Sequence, residues 1–199
     1  MIDSIKSGDL IAISGKGPLS WMIQAGTLSM PNFGPLGRLG LAGPSHVGIV
    51  VSVNGEMLVY ESTSMPRPPC VRTRREKPLG VQAHHLSDVI DGTDAWHYPL
   101  KTHLYEDEEL RLLRAADSCL GRGYDYFSAG RAGGGRLIRL IQILTQREDL
   151  KTFYCSEFVM ALWVAIGVCQ ARNASNWSPS RLVRHARRTG IVGPVRLLT

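Results

Sequence analysis

The chain is expected to fold as a single α+β domain, with strands early and helices late. Three observations predict this. The pair Asn54-Gly55 separates two β-rich runs, 46-HVGIVVSV-53 and 56-EMLVYEST-63. Helical patterning dominates the second half, at 105–123, 136–146, 155–168 and 178–190. Elements segregated in this way predict α+β rather than alternating β-α units. The 199 residues, 44% hydrophobic and 20% charged, are enough for one core. No repeat or linker divides them, so 1–199 is read as one domain.

The elements follow in order. Residues 8-GDLIAIS-14 read as a short strand, and 19-LSWMIQAGTL-28 as a short helix with Ser20 in the cap position. The Gly- and Pro-rich stretch 29–45 is a loop. The hairpin comes next, because both central residues of a type I′ turn need positive φ, which Asn and Gly tolerate. A second loop, 64-SMPRPPCVRTRREKPLG-80, is Pro-rich and basic, and Cys70 within it is expected to be exposed. A strand-like piece occupies 94–100. The 105–123 helix opens with acidic residues that suit the helix dipole and ends at Gly121 or Gly123. Leu110, Leu113, Ala116, Cys119 and Leu120 are placed on its buried face. After the run 130-GRAGGG-135 comes the 136–146 helix, then the helix headed by Cys155. The last helix has Ser178 as cap and Pro179 at its first position. Residues 191-IVGPVRLL-198 suit an edge strand.

Composition excludes several classes. The net charge is +6, largely from arginines at 72, 74 and 75, at 131, 136 and 139, and at 181, 184, 187 and 188. They suit an anionic partner, but a solvated surface explains them as simply. No nucleic-acid motif accompanies them and aromatics are only 7%, so no specific nucleic-acid partner is expected. Cys70, Cys119, Cys155 and Cys169 form no C-x-x-C pair and match no zinc or disulfide spacing. No metal or cofactor is expected. The N-terminus does not read as a signal peptide, and the apolar run 158–169 is too short to span a bilayer. A cytoplasmic protein with free thiols is the expectation.

One cysteine stands apart. In 151-KTFYCSEFVMALWVAIGV-168, Cys155 falls in the first turn of an apolar helix. Unpaired backbone N–H groups and the positive end of the helix dipole favour a thiolate there, and could receive an oxyanion beside the sulfur. A small buried hydrophobe is the competing reading. A nucleophile needs a base and a group to orient it. With Asn54 and Gly55 in the turn, hairpin partners sum to 109, so Gly48 faces Glu61. His46 and Glu61 then share a face, opposite Val47, Ile49, Val51 and Val53. Glu61 can hold one ring nitrogen and leave the other for a thiol. A solvated surface pair would look the same in sequence.

The runs "SHVGIVV", "LVYEST" and "FYCSEFVMALW", with "SGDLIAIS", "GRGYDY" and "SPSRLVRHA" around them, resemble the circularly permuted papain-like cysteine hydrolases of the NlpC type. His46 precedes Cys155, as in the permuted branch. The resemblance implies an antiparallel sheet or half-barrel packed against the cysteine-bearing helix. It makes Cys155 the nucleophile, His46 the base, Glu61 the third polar residue and Tyr154 a candidate at the oxyanion site. It implies amide or peptide hydrolysis through a thioester, with a peptide- or amide-containing substrate, cell-wall peptide or lipid among the candidates. Lipid acyl transfer or thioester hydrolysis on the same fold is the first alternative. A non-catalytic module binding an anionic partner is the second. The acyltransferases often carry another histidine on the hairpin, and here none lies between His46 and His84, which favours hydrolysis.

Overall fold

The computed structural model describes residues 5–14, 44–64, 67–76, 79–124, 152–170 and 177–198. Strands β1 (Leu10–Ser14), β2 (His46–Val53), β3 (Glu56–Thr63) and β4 (Gly80–His85) come first. Helix α1 (Leu86–Ile90) and strand β5 (Asp94–Tyr98) follow, then α2 (Glu106–Ser118), β6 (Gly123–Tyr124) and β7 (Thr152–Phe153). Helices α3 (Cys155–Ala165) and α4 (Pro179–Arg188) and strand β8 (Arg196–Leu198) complete the order. Six strands form one antiparallel sheet in the order β4-β3-β2-β1-β5-β8, and β6 and β7 form a small parallel pair. The fold is therefore mixed α+β. Among the described residues no helix is long and apolar enough to cross a membrane.

The β2–β3 hairpin has the expected register, with Val53 opposite Glu56 and Gly48 opposite Glu61. Asn54 (φ 52°) and Gly55 (φ 85°) supply the two left-handed residues of its turn. Alternation then sorts side chains onto two faces. Leu10, Val47, Ile49, Val51, Tyr60, Ala83 and Trp96 join the main core with residues of α2, α3 and α4. Ile11, Ile13, Val50, Val59 and Ala95 form a smaller cluster on the other face, capped by Leu86 and Val89 of α1. Glu61, Gln82 and His84 lie on this second face, by register with Gly48 and Val59.

Several expectations need correction. Cys70 is buried, and its Sγ accepts a hydrogen bond from the Ala83 N–H at 3.3 Å. The basic loop is not a free flap: the Val71 N–H also bonds the Ala83 carbonyl, which fastens it along β4. In α2 the buried residues are Leu112 and Ala116, while Leu110 is exposed. Leu113, Ala116, Cys119 and Leu120 do pack on the core as expected, while Leu112 takes the inward place given to Leu110 because α2 packs on α3 and β2 together. Cys119 is half-buried at the helix end rather than fully in the core. The segment 191–198 narrows to a three-residue edge strand, after an isolated bridge from Val192 to Leu100. The expected helices at 19–28 and 136–146, the run 130–135 and nearly all of the loop 29–45 lie outside the described residues.

Candidate functional site

Two element ends meet at the site. His46 is the first residue of β2, and Cys155 is the first residue of α3. The parallel β6–β7 pair runs directly into Tyr154 and so aims the tip of α3. The first α3 hydrogen bond runs from the Phe158 N–H to the Tyr154 carbonyl, so the Cys155 and Ser156 N–H groups lie ahead of it. The Glu157 carboxylate turns back to accept from the Tyr154 N–H at 3.0 Å. Ser156 Oγ donates to the Trp177 carbonyl and ties this tip to the entrance of α4.

His46 stands between Cys155 and Glu61. Its Nε2 is 2.5 Å from Glu61 Oε2. A carboxylate oxygen can only accept, so Nε2 carries the hydrogen and Nδ1 is left for the thiol. Burial alone would lower the imidazole pKa. A negative charge on Cys155, and then the Glu61 carboxylate, outweigh it and raise the value from 6.5 to about 9. For Glu61, burial pushes upward, but His46, then His84 and Arg67, hold it well below the usual carboxylate range. Glu61 is therefore a buried anion, with Cys155 and Glu61 both 0% and His46 5% exposed. The pair is not the solvated surface feature that sequence left open.

Tyr154, the remaining expected residue, sits beside them. Its ring packs edge-on against Tyr124, with centroids 6.2 Å apart. Burial, followed by the Cys155 charge, pushes its phenol well above the ordinary value, so it remains a neutral donor. Its hydroxyl is buried beside the Cys155 sulfur.

Three further residues surround Glu61. Arg67 Nε donates to Glu61 Oε1 at 3.0 Å, and its Nη1 reaches the Asp88 and Val89 carbonyls at 3.1 and 3.3 Å. His84 Nδ1 is 3.2 Å from the same Oε1, and His84 Nε2 lies 3.2 Å from the Pro68 carbonyl. Gln82, directly opposite Glu61 on β4, is fully buried, and neither amide atom has a hydrogen-bond partner among the described residues. Sequence offered a signal for two of them. Had 80–85 been read as a strand beside β3, alternation would have put Gln82 and His84 on the Glu61 face. Nothing local marks Arg67.

No family model matches the chain, and no curated protein matches it. Its fold is similar to that of the DUF1105 metalloprotein YiiX from Escherichia coli O157:H7, with a TM-score of 0.57. The likeness covers 98% of this chain and 97% of the other. Identity is 16%, so the likeness concerns the fold alone.

Proposed function

We propose that the chain is a thiol hydrolase with a permuted papain-like fold, cleaving amide or peptide bonds through Cys155, His46 and Glu61. The observation that carries this reading is the buried His46 imidazole, held by Glu61 on one side and charged against Cys155 on the other. In this arrangement the Cys155 thiolate adds to the substrate carbonyl, and the C=O π electrons move onto oxygen. The Cys155 and Ser156 N–H groups at the α3 tip face the developing oxyanion, with the Tyr154 hydroxyl a further donor. Collapse expels the amine, which takes the proton from His46 Nδ1 and leaves a thioester. A water molecule then gives its proton to His46 and adds to the thioester, and collapse releases the acid and the thiolate. Glu61 stays ionised and fixes the ring by its bond to Nε2. Cys155 has no exposed surface in this conformation, so turnover requires the site to open.

The structural neighbour is a metalloprotein, which makes a metal at this site worth testing against its donors. The fit is poor. Glu61 Oε1, the oxygen not bonded to His46, already faces the Arg67 guanidinium and His84. Among the described residues no group of three or more His, Cys, Asp or Glu side chains could hold an ion.

The test is iodoacetamide labelling of each cysteine against pH, read by peptide mass spectrometry, in wild type and His46→Ala. Cys155 should label below neutrality well ahead of Cys70, Cys119 and Cys169, and lose that lead in the variant. Turnover of peptide amides set against acyl esters then separates hydrolysis from acyl chemistry. Labelling of Cys155 only on unfolding would sink the proposal.

A further inference from the structure

Glu61 has two oxygens, and they do different work. Oε2 holds His46 at 2.5 Å, whereas Oε1 is taken by Arg67 at 3.0 Å and His84 at 3.2 Å. Arg67 is nearly buried, with 8% of its side chain exposed. Its guanidinium makes a fork: Nε grips the carboxylate, and Nη1 grips the last carbonyls of α1. A cation at that end of α1 also suits the helix dipole. The loop carrying Arg67 is itself fixed, because the Pro68 carbonyl meets His84 and both Cys70 and Val71 bond Ala83. The carboxylate is thus braced from strand β4, helix α1 and the loop between β3 and β4 at once.

We propose that Arg67 is a positioning residue, which pins Glu61 Oε1 so that Oε2 alone is presented to His46. The inference rests on the hydrolase reading only for its consequence, since the brace itself is independent of substrate. A guanidinium suits the task because it stays charged and offers donors in a rigid plane. A lysine could supply the charge, but its three donors radiate from one atom instead of a spaced, rigid fork, so it would hold the carboxylate and the α1 carbonyls together less firmly.

Two effects of removing Arg67 on His46 have opposite signs. Losing a nearby positive charge favours the protonated imidazole, so a purely through-space role predicts that its titration moves up. Losing the brace frees Glu61 to turn from Nε2, which removes a partner that favours protonation, so the positioning role predicts that it moves down. The groups facing His46 are Glu61 and Cys155, with Arg67 and His84 behind Glu61.

The experiment follows the His46 ring by NMR against pH, without substrate, in wild type, Arg67→Gln and Arg67→Lys. The expected midpoint falls by about one pH unit in Arg67→Gln, with a smaller fall in Arg67→Lys. Cys155 alkylation below neutrality slows by about tenfold alongside it. An unchanged or raised midpoint in a folded variant overturns the proposal and leaves Arg67 as a loop brace or a neighbouring charge. Where Arg67→Gln does not fold, Arg67→Lys decides by the same criterion. If the midpoints fall but wild-type Cys155 alkylates like an ordinary thiol, the positioning role stands and the hydrolase reading fails.

Discussion

At the residue scale the site is a contest between burial and charge. Desolvation should make His46 a weak base, yet Cys155 and Glu61 together carry its pKa to about 9. Two predictions follow from the order of those causes. In Cys155→Ala the His46 midpoint should fall, because the charge that raises it most is gone; NMR titration of the ring reads this directly, and a midpoint left near 9 would contradict the contact. Hydrolysis should decline as pH rises through about 9. Above that value His46 has lost the proton it gives to the leaving amine, so the acid role disappears while the nucleophile remains. Glu61→Gln acts differently. It leaves Arg67, fully charged and nearly buried, without its anion, and removal of one partner of a buried ion pair costs about 3 kcal/mol. Urea unfolding should show that loss together with a lowered His46 midpoint. A stable variant with an unchanged midpoint would mean that neither residue relies on the carboxylate.

At the scale of elements, glycine separates strain from spare freedom. Gly80 has φ of 99°, and a Cβ there would lie 1.9 Å from the Arg122 carbonyl oxygen, which already accepts from Val81 at 2.9 Å. Gly55 has φ of 85° in open space. Gly80→Ala should therefore cost well over 2 kcal/mol, combining backbone strain with a backbone clash. Gly55→Ala should cost about 1 kcal/mol, from the turn conformation alone. Equal unfolding midpoints for the two variants would refute this difference. The same contrast explains what sequence could show. The hairpin was legible to the residue, because Asn54-Gly55 fixes the turn and alternation fixes the faces. That put His46 beside Glu61 without any tertiary information. The α3 tip was legible because an apolar run has a clear beginning at Cys155. The loop 64–80 was not, because its residues have no period. Cys70 and Arg67 gained their roles only when the loop lay down along β4. Leu110 misled for a related reason: a helix with short apolar spacing allows more than one inward face, and α3 decided which was used.

At the scale of the whole molecule, the start of β1 gathers elements that are distant in sequence. Asp9 accepts from the Lys6 N–H at 2.9 Å and from the Leu100 N–H at 2.7 Å, and its Oδ2 is 2.6 Å from His97 Nε2. Its carbonyl also accepts from Val50 at 2.8 Å, while the preceding Gly8 carbonyl accepts from Trp163 Nε1 of α3 at 3.1 Å. One buried residue, through its side chain and its carbonyl, and its neighbour therefore join β1, β2, β5 and the helix that carries Cys155. Both Asp9 and His97 are almost inaccessible to water, so the pair cannot be replaced by solvation when one member is lost. Asp9→Ala should lower stability by about 3 kcal/mol or more, through an unpaired His97 and two stranded N–H groups. Trp163→Phe loses one hydrogen bond and leaves a void where part of the buried indole stood, so about 2 kcal/mol is expected. Both losses should appear as lower urea midpoints with an unchanged slope, because these contacts belong to the one sheet and its packed helices rather than to a separable part. A second transition in Asp9→Ala would show instead that β5 and β8 can leave the sheet while the hairpin and α3 stay folded, and the site would then survive a loss that the intact sheet does not.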